Sequence, residues 1–266
     1  MPKSRSPRII TLLTDFGQQD HYVGVMKGVI LSLAPEAKVV DITHEVASFS
    51  LTSARFLLAQ SWPHFPARTI HVAVVDPGVG TSRRPILVEA GKHVFIGPDN
   101  GLFSEIVRRK DARPRVITNE KLFRRPVSST FHGRDIFAPV AAHIALGLAP
   151  SRVGPRIDNA WVDPLTVPTR TGKRTWSGEV VSVDKFGNVI TNFCVAEFPQ
   201  LAERPFVLRV GLATLGDVVK TYGAIPAGTV AVVLASHGHL EAAANQDSAA
   251  RRLGVACGSP VELEIL

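Results

Sequence analysis

The run TIHVAVV at residues 69–75 is apolar along its length and ends in Asp76. A strand of that kind belongs in the middle of a sheet covered on both faces, the usual condition of a parallel α/β sheet. Its neighbours must then alternate with helices. They do. IITLLT at residues 9–14 is a short apolar run ending at Asp15 and reads as a strand. Residues 22–33 carry Val23, Met26, Ile30 and Leu33 on one helical face, and Pro35 closes the helix. KVVDIT at 38–43 is a second strand, and residues 52–62 form a second helix, again closed by a proline. Further strands are expected at 86–89 and 93–96, and further helices at 101–109 and 135–148.

From residue 150 to residue 174 the chain is rich in proline, threonine and charge, with little apolar periodicity. Beyond it, 178–184, 189–195, 205–210, 229–236 and 260–266 read as short strands separated by turn residues. One or two helical turns are expected within 245–253. The expected organisation is an α/β N-terminal domain with a largely parallel or mixed sheet over residues 1–155 and a linker over 156–174. A smaller all-β, barrel-like domain follows over 175–266.

The 266 residues carry a net charge of +7, which raises nucleic acid as a partner. The basic residues are scattered in pairs, such as Arg83-Arg84 and Arg124-Arg125, without interleaved aromatics. That pattern argues against a nucleic-acid groove. Cys194 and Cys257 are far apart and form neither a metal spacing nor a disulfide framework, as fits a reducing cytoplasm. The N-terminus lacks a signal-peptide core, and no apolar run reaches membrane-spanning length. A soluble, cytoplasmic protein is expected.

Ligands of open α/β sheets bind at the carboxyl ends of strands. Asp15 and Asp76 sit at two such ends, each followed by a glycine-containing turn, TDFG and VDPGVG. His132, in SSTFHGRDIFAP, precedes a glycine at the start of a helix, where Arg134 and Asp135 suit a local ion pair. In SVDKFGNVITNF, Asp184 and Asn188 fit a hairpin turn or an amine and adenine contact. His237 and His239 in LASHGHLE are two apart, but no third ligand lies nearby, and no metal is expected. Taken singly, each segment also fits a purely structural turn or cap.

Taken together and in this order, TDFG, VVDPGVGTSRRP, GPDNG, FHGRDIFAP, DKFGNVITN and the Ser236 segment resemble the S-adenosylmethionine (SAM) hydroxide adenosyltransferases. That family is related to the fluorinating and chlorinating adenosyl enzymes. The resemblance spans residues 9–266. It implies conversion of SAM and water to adenosine and methionine, with no cofactor. It also implies an α/β domain followed by a β-barrel, in a homotrimer with active sites between subunits. By motif match, the catalytic residues fall on Asp76, Arg83 and His132. Substrate contacts fall on Asp15 (ribose hydroxyls), Phe131 (near C5′), Asp184 (methionine amine), Asn188 (adenine) and Ser236 (methionine carboxylate). Asp20 and Phe49 match positions lining the nucleoside pocket. His237 is a departure, because the halogenating relatives carry arginine there.

The implied chemistry is displacement at C5′ by a water-derived oxygen. A sulfonium leaves as a neutral thioether, so no general acid is needed. The obstacle is water itself, with a pKa of about 15.7. His132 suits a proton acceptor, Arg83 a cation that holds a developing hydroxide, and Asp76 a group that orients either. Arg84 is expected to face solvent. A halide nucleophile would be repelled by Asp76, and Val79 replaces the hydroxyl residue of the fluorinating relatives. A SAM-binding module without turnover is the alternative from another class.

Overall fold

The computed structural model describes residues 8–164 and 167–266. By its internal contacts the chain divides into two units, Met1–Asp163 and Pro164–Leu266.

The first unit runs β1 (Ile9–Thr14), α1 (Tyr22–Leu33), β2 (Lys38–Thr43), α2 (Leu51–Ser61), β3 (Ile70–Val74), β4 (Pro85–Ala90), β5 (His93–Pro98), α3 (Ser104–Val107), β6 (Arg113–Val116) and α4 (Ala138–Ala145). Its six-stranded sheet has the order β2-β1-β3-β5-β4-β6. The strands β2, β1, β3 and β5 are parallel, while β4 runs antiparallel to both β5 and β6. The sheet is therefore mixed.

Side chains alternate across each strand, and this places the core on both sides. Ile10, Leu12, Val72 and Val74 face Met26 and Ile30 of α1 and Val140 and Ile144 of α4. Leu13, Ala73 and Val75 join Ala54 and Leu58 of α2 and Phe103 and Ile106 around α3. Every residue of β3 is buried, as its apolar sequence requires. From β1 the chain leaves to one side for β2, and β3 returns on the other side of β1. The carboxyl ends of β1 and β3 thus flank a topological switch point, the natural crevice of such sheets.

Two expected helices differ in detail. Residues 101–109 contract to α3, because Gly101 has φ +94 and Asn100 Oδ1 caps the turn at Leu102 N, 3.2 Å. The 135–148 helix instead begins as a π-helical turn over Gly133–Phe137. Pro139 has no N–H to offer the Asp135 carbonyl, and that oxygen accepts from Arg124 N at 2.9 Å instead.

The second unit runs β7 (Thr169–Arg170), β8 (Thr175–Val183), β9 (Val189–Cys194), β10 (Phe206–Val210), β11 (Ala213–Leu215), β12 (Val218–Val219), β13 (Ala231–Leu234), β14 (His239–Ala243), α5 (Ala249–Leu253) and β15 (Pro260–Ile265). The order is β11-β10-β15-β8-β9-β14-β13-β12, with β7 added beside β8. β8 is nine residues long and serves both halves. Its first part pairs with β15 and its last part with β9, across an irregularity between Val180 and Ser182. The sheet curls there, and a strand-rich half barrel closes on Val180, Phe193, Leu208, Val232, Leu240 and Leu263. Among the described residues no helix is long and apolar enough to cross a membrane.

Candidate active site

Asp76 leaves β3 into two consecutive tight turns, with Val79 N donating to Asp76 O (3.2 Å) and Thr81 N to Gly78 O (3.2 Å). These turns bring Arg83 back to Asp76. The Arg83 guanidinium donates from Nε to both Asp76 oxygens at 3.0 Å, and from Nη2 to Oδ2. Nη2 also donates to His132 Nδ1 at 2.7 Å. The Asp76 and Arg83 side chains are nearly buried, and the guanidinium lies over the Phe137 ring. Arg83 Nη1 is buried without a hydrogen-bond partner.

Gly80 makes this convergence possible. It has φ +77, and a side chain there would meet the Ser129 carbonyl oxygen at 2.2 Å. The loop of Asp76 and Arg83 therefore touches the loop that carries Phe131 and His132. Burial, and after it the charge of Arg83, holds the His132 imidazole below its ordinary pKa, partly opposed by Asp76 and Asp135. His132 is accordingly a neutral ring at pH 7.

Beside the trio lies a cavity of about 420 Å³, lined by Asp15, Phe16, Tyr22, Phe49, Asp76, Val79, Phe131 and His132. Phe16, Tyr22 and Phe131 form an aromatic corner with centroids 5.2–6.0 Å apart. Asp15 Oδ2 accepts from Phe49 N at 2.9 Å. Phe49 itself has φ 64 and is 72% exposed. A strained backbone that presents an aromatic ring to solvent is a feature of ligand-binding loops. Asp20 is exposed and does not line this cavity.

Arg84 turns away from the trio to a partly exposed position, as expected, but it is anchored there and not free in solvent. It donates to Asp99 Oδ2 from Nε (2.8 Å) and Nη2 (2.5 Å), and to Asn159 Oδ1 (2.8 Å) and O (2.8 Å). The GPDNG segment thus provides an anchor for Arg84, and Asn100 Nδ2 caps Val75 O at 2.9 Å. The expected ion pair of Arg134 with Asp135 is present at 2.7 and 2.9 Å.

In the second unit Asp184 closes the β8–β9 turn. Its Oδ1 accepts from Phe186 N (3.0 Å) and Asn188 N (2.8 Å), and its Oδ2 from Asn188 Nδ2 (2.9 Å). Both residues line a cavity of about 620 Å³ with Phe186, Tyr222, Asp247 and Arg251. Phe186 is 77% exposed. The Tyr222 hydroxyl is pushed up to about 12 by desolvation and then by the Glu241 carboxylate. Ser236 is exposed in the β13–β14 turn and does not line this cavity. His237 and His239 turn to separate partners. His237 Nε2 lies 3.0 Å from the buried Glu241 Oε2, and His239 Nδ1 donates to Thr191 O at 2.9 Å. Among the described residues no group of three or more histidine, cysteine or acidic side chains is placed to hold a metal ion.

Sequence reasoning missed Phe16, Tyr22, Phe186 and Tyr222. Phe16 and Phe186 stand inside the quoted motifs TDFG and DKFGN, so an apolar residue in an otherwise polar turn was the available signal.

A switch-point cavity beside a largely buried aspartate–arginine pair bonded to a half-buried histidine, joined in sequence to a curled β unit, defines an α/β-plus-β enzyme architecture. Residues 10–154 match the SAM hydroxide adenosyltransferase N-terminal domain, and residues 178–262 match the C-terminal domain of the same family. The chain belongs to the SAM hydroxide adenosyltransferase family. It is 37% identical to the (R)-S-adenosyl-L-methionine hydrolase of Thermus thermophilus, over 96% of this chain and 99% of that one. A solved structure of an uncharacterized conserved protein from Thermotoga maritima superposes with a TM-score of 0.86 at 39% identity, covering 96% of this chain and 99% of that one. Likeness to the fluorinase of Nocardia brasiliensis is lower, 23% identity over 97% of each chain.

Proposed function

We propose that the protein hydrolyses SAM, in the (R)-sulfonium form named for its hydrolase relative, to adenosine and L-methionine. A water-derived oxygen attacks C5′ and the thioether of methionine departs. The observation that carries this reading is the Asp76–Arg83–His132 chain, whose Asp76 and His132 line the same cavity as Asp15 and Phe131.

The roles follow from donor and acceptor chemistry. A guanidinium has donors only, so His132 meets Arg83 through a lone pair on Nδ1, and its single proton sits on Nε2. With the Nδ1 lone pair taken by Arg83 and the proton on Nε2, the neutral ring has no free lone pair, which moves the part of proton acceptor from His132 to Asp76. Asp76 is the anionic member of the trio and lines the cavity. Arg83 holds Asp76 and His132 in place, and its charge favours an oxygen that gains negative charge next to them. A preorganised cation of this kind in a water-poor site stabilises developing charge by several kcal/mol.

Asp15 is assigned to the ribose hydroxyls, with Phe49 and Phe131 as walls. Asp184 is assigned to the methionine amine: its carboxylate has about four lone-pair positions and the turn occupies three. Asn188 is assigned to adenine and Ser236 to the methionine carboxylate. Nothing in the geometry supports the assignment of Asp20. A homotrimer in the cytoplasm, with neighbouring subunits completing each site, accounts for the exposure of Phe49 and Phe186. No cofactor is required, because the leaving group is already activated as a sulfonium. Halide use is disfavoured because Asp76 can take a proton from water, a role that a halide nucleophile does not need, and because Val79 offers no hydroxyl to a halide.

The test is incubation with each sulfonium epimer of SAM, followed by chromatography of the products. Adenosine and methionine in equal amounts support the reading. SAM returned intact by protein that binds it would make the chain a binding module.

A further inference from the structure

A buried relay stands behind the turn that carries Asp15. Thr14 Oγ1 accepts from Phe16 N at 3.2 Å and lies 2.8 Å from His44 Nδ1. His44 Nε2 lies 3.0 Å from Asp41 Oδ1, and Asp41 Oδ2 accepts from Lys27 Nζ at 2.6 Å. Thr14 and the His44 side chain are fully buried, whereas Asp41 and Lys27 reach the surface. The main chain of His44 holds the same turn, since Gly17 N donates to His44 O at 2.8 Å.

The Thr14 hydroxyl has one donor and two acceptor positions, so it holds the Phe16 N–H and the His44 imidazole at the same time. His44 Nε2 approaches the Asp41 carboxylate within ion-pair distance but without hydrogen-bond geometry, so the Thr14 contact is the stronger of the two. The arrangement resembles a serine-type catalytic triad in its order of groups, but Thr14 is buried and cannot reach a ligand. Its product is a fixed orientation of the Asp15–Phe16 peptide. Asp15 and Phe16 both line the cavity beside Asp76 and His132, and Asp15 in turn holds the strained Phe49.

We propose that His44 is a positioning residue, which through Thr14 sets the Asp15–Phe16 wall of the nucleoside pocket and thereby the affinity for substrate, not the chemical step. The proposal rests on the reading of this cavity as the SAM site. A lost buried hydrogen bond of this kind reads out as roughly a five- to thirty-fold change in an equilibrium.

The test uses full-length wild type, His44→Ala, His44→Gln, Thr14→Val and Asp41→Asn. The kinetic readout is KM and kcat for release of adenosine from SAM. The structural readout is amide hydrogen exchange at Phe16, Gly17 and Phe49. His44→Ala and Thr14→Val should raise KM about tenfold, leave kcat within about threefold, and speed exchange at those amides. His44→Gln should recover part of the KM loss. Asp41→Asn, at the partly exposed end of the relay, should keep its fold and show a smaller KM rise, so a poorly folding His44→Ala does not end the test. Unchanged KM with faster exchange would overturn the proposal, as would equal losses in kcat and KM in the folded variants. If wild type releases no adenosine, the proposed function fails. The exchange readout then judges the relay separately: unchanged exchange in the variants would refute it.

Discussion

Arg83 Nη2 lies 2.7 Å from His132 Nδ1 while the same guanidinium holds Asp76. One arginine thus fixes both the carboxylate and the tautomer of the imidazole. Lysine offers a single point of charge without the planar fork. Arg83→Lys should therefore lower kcat about 10²–10³-fold with SAM affinity changed only a few-fold. Stopped assays of adenosine release, paired with calorimetric binding, check the split; a kcat within threefold of wild type would remove Arg83 from the chemistry.

His132 is held below the ordinary value of 6.5 first by burial and then by Arg83. The ring is therefore half-protonated only below 6.5. A kcat/KM profile from pH 8.5 to 5 should decline on the acid side with its midpoint below 6.5, and that decline should vanish in His132→Asn. A rise in activity on acidification would mean that the charged ring is the working form.

Gly80 is needed both for its positive φ and for its contact with Ser129. Gly80→Ala should cost about 2 kcal/mol or more of stability and at least tenfold in kcat, since the two loops must part. Gly24→Ala on α1, with open space around it, is the control. It should gain up to about 1 kcal/mol and keep full activity. Urea unfolding and steady-state rates on both variants decide the matter.

A second histidine chain is built into the core. His71 is fully buried, with Nδ1 2.8 Å from Thr11 Oγ1 and Nε2 3.1 Å from His93 Nδ1. Burial, and then His93, lowers its pKa to about 3. Between about pH 6.5 and 3 the unfolded chain holds a proton here that the folded chain does not, so stability falls as pH falls. From pH 7 to pH 5 the His71 contribution is about 2 kcal/mol. His71→Gln should show an acid-side loss smaller by that amount in denaturant midpoints; an equal loss in both proteins would contradict it.

Much of this was legible in the sequence, for physical reasons that also mark where legibility ended. β1, α1 and β2 fall at their expected bounds because period-2 and period-3.6 patterns are bounded by Asp15 and Pro35. β6 and β14 were not foreseen: RPRV and HLEAA carry proline, charge or alanine and become strands only by pairing with β4 and with β13 and β9. At the site, Asp76 and His132 stood out by position and Arg83 by motif. Nothing local distinguishes Arg83 from Arg84, however. Asp99 and Asn159 draw one outward and Asp76 draws the other inward, and both choices are tertiary. The Thr14–His44 relay was invisible for the same reason, since thirty residues separate its two members.

The central claim is that solvent oxygen attacks C5′ of SAM. Turnover in oxygen-18 water, followed by mass spectrometry of both products, tests it most directly. The account predicts one label in the 5′ hydroxyl of adenosine and none in methionine. Label in methionine, or adenosine without label, would contradict displacement at C5′ by water.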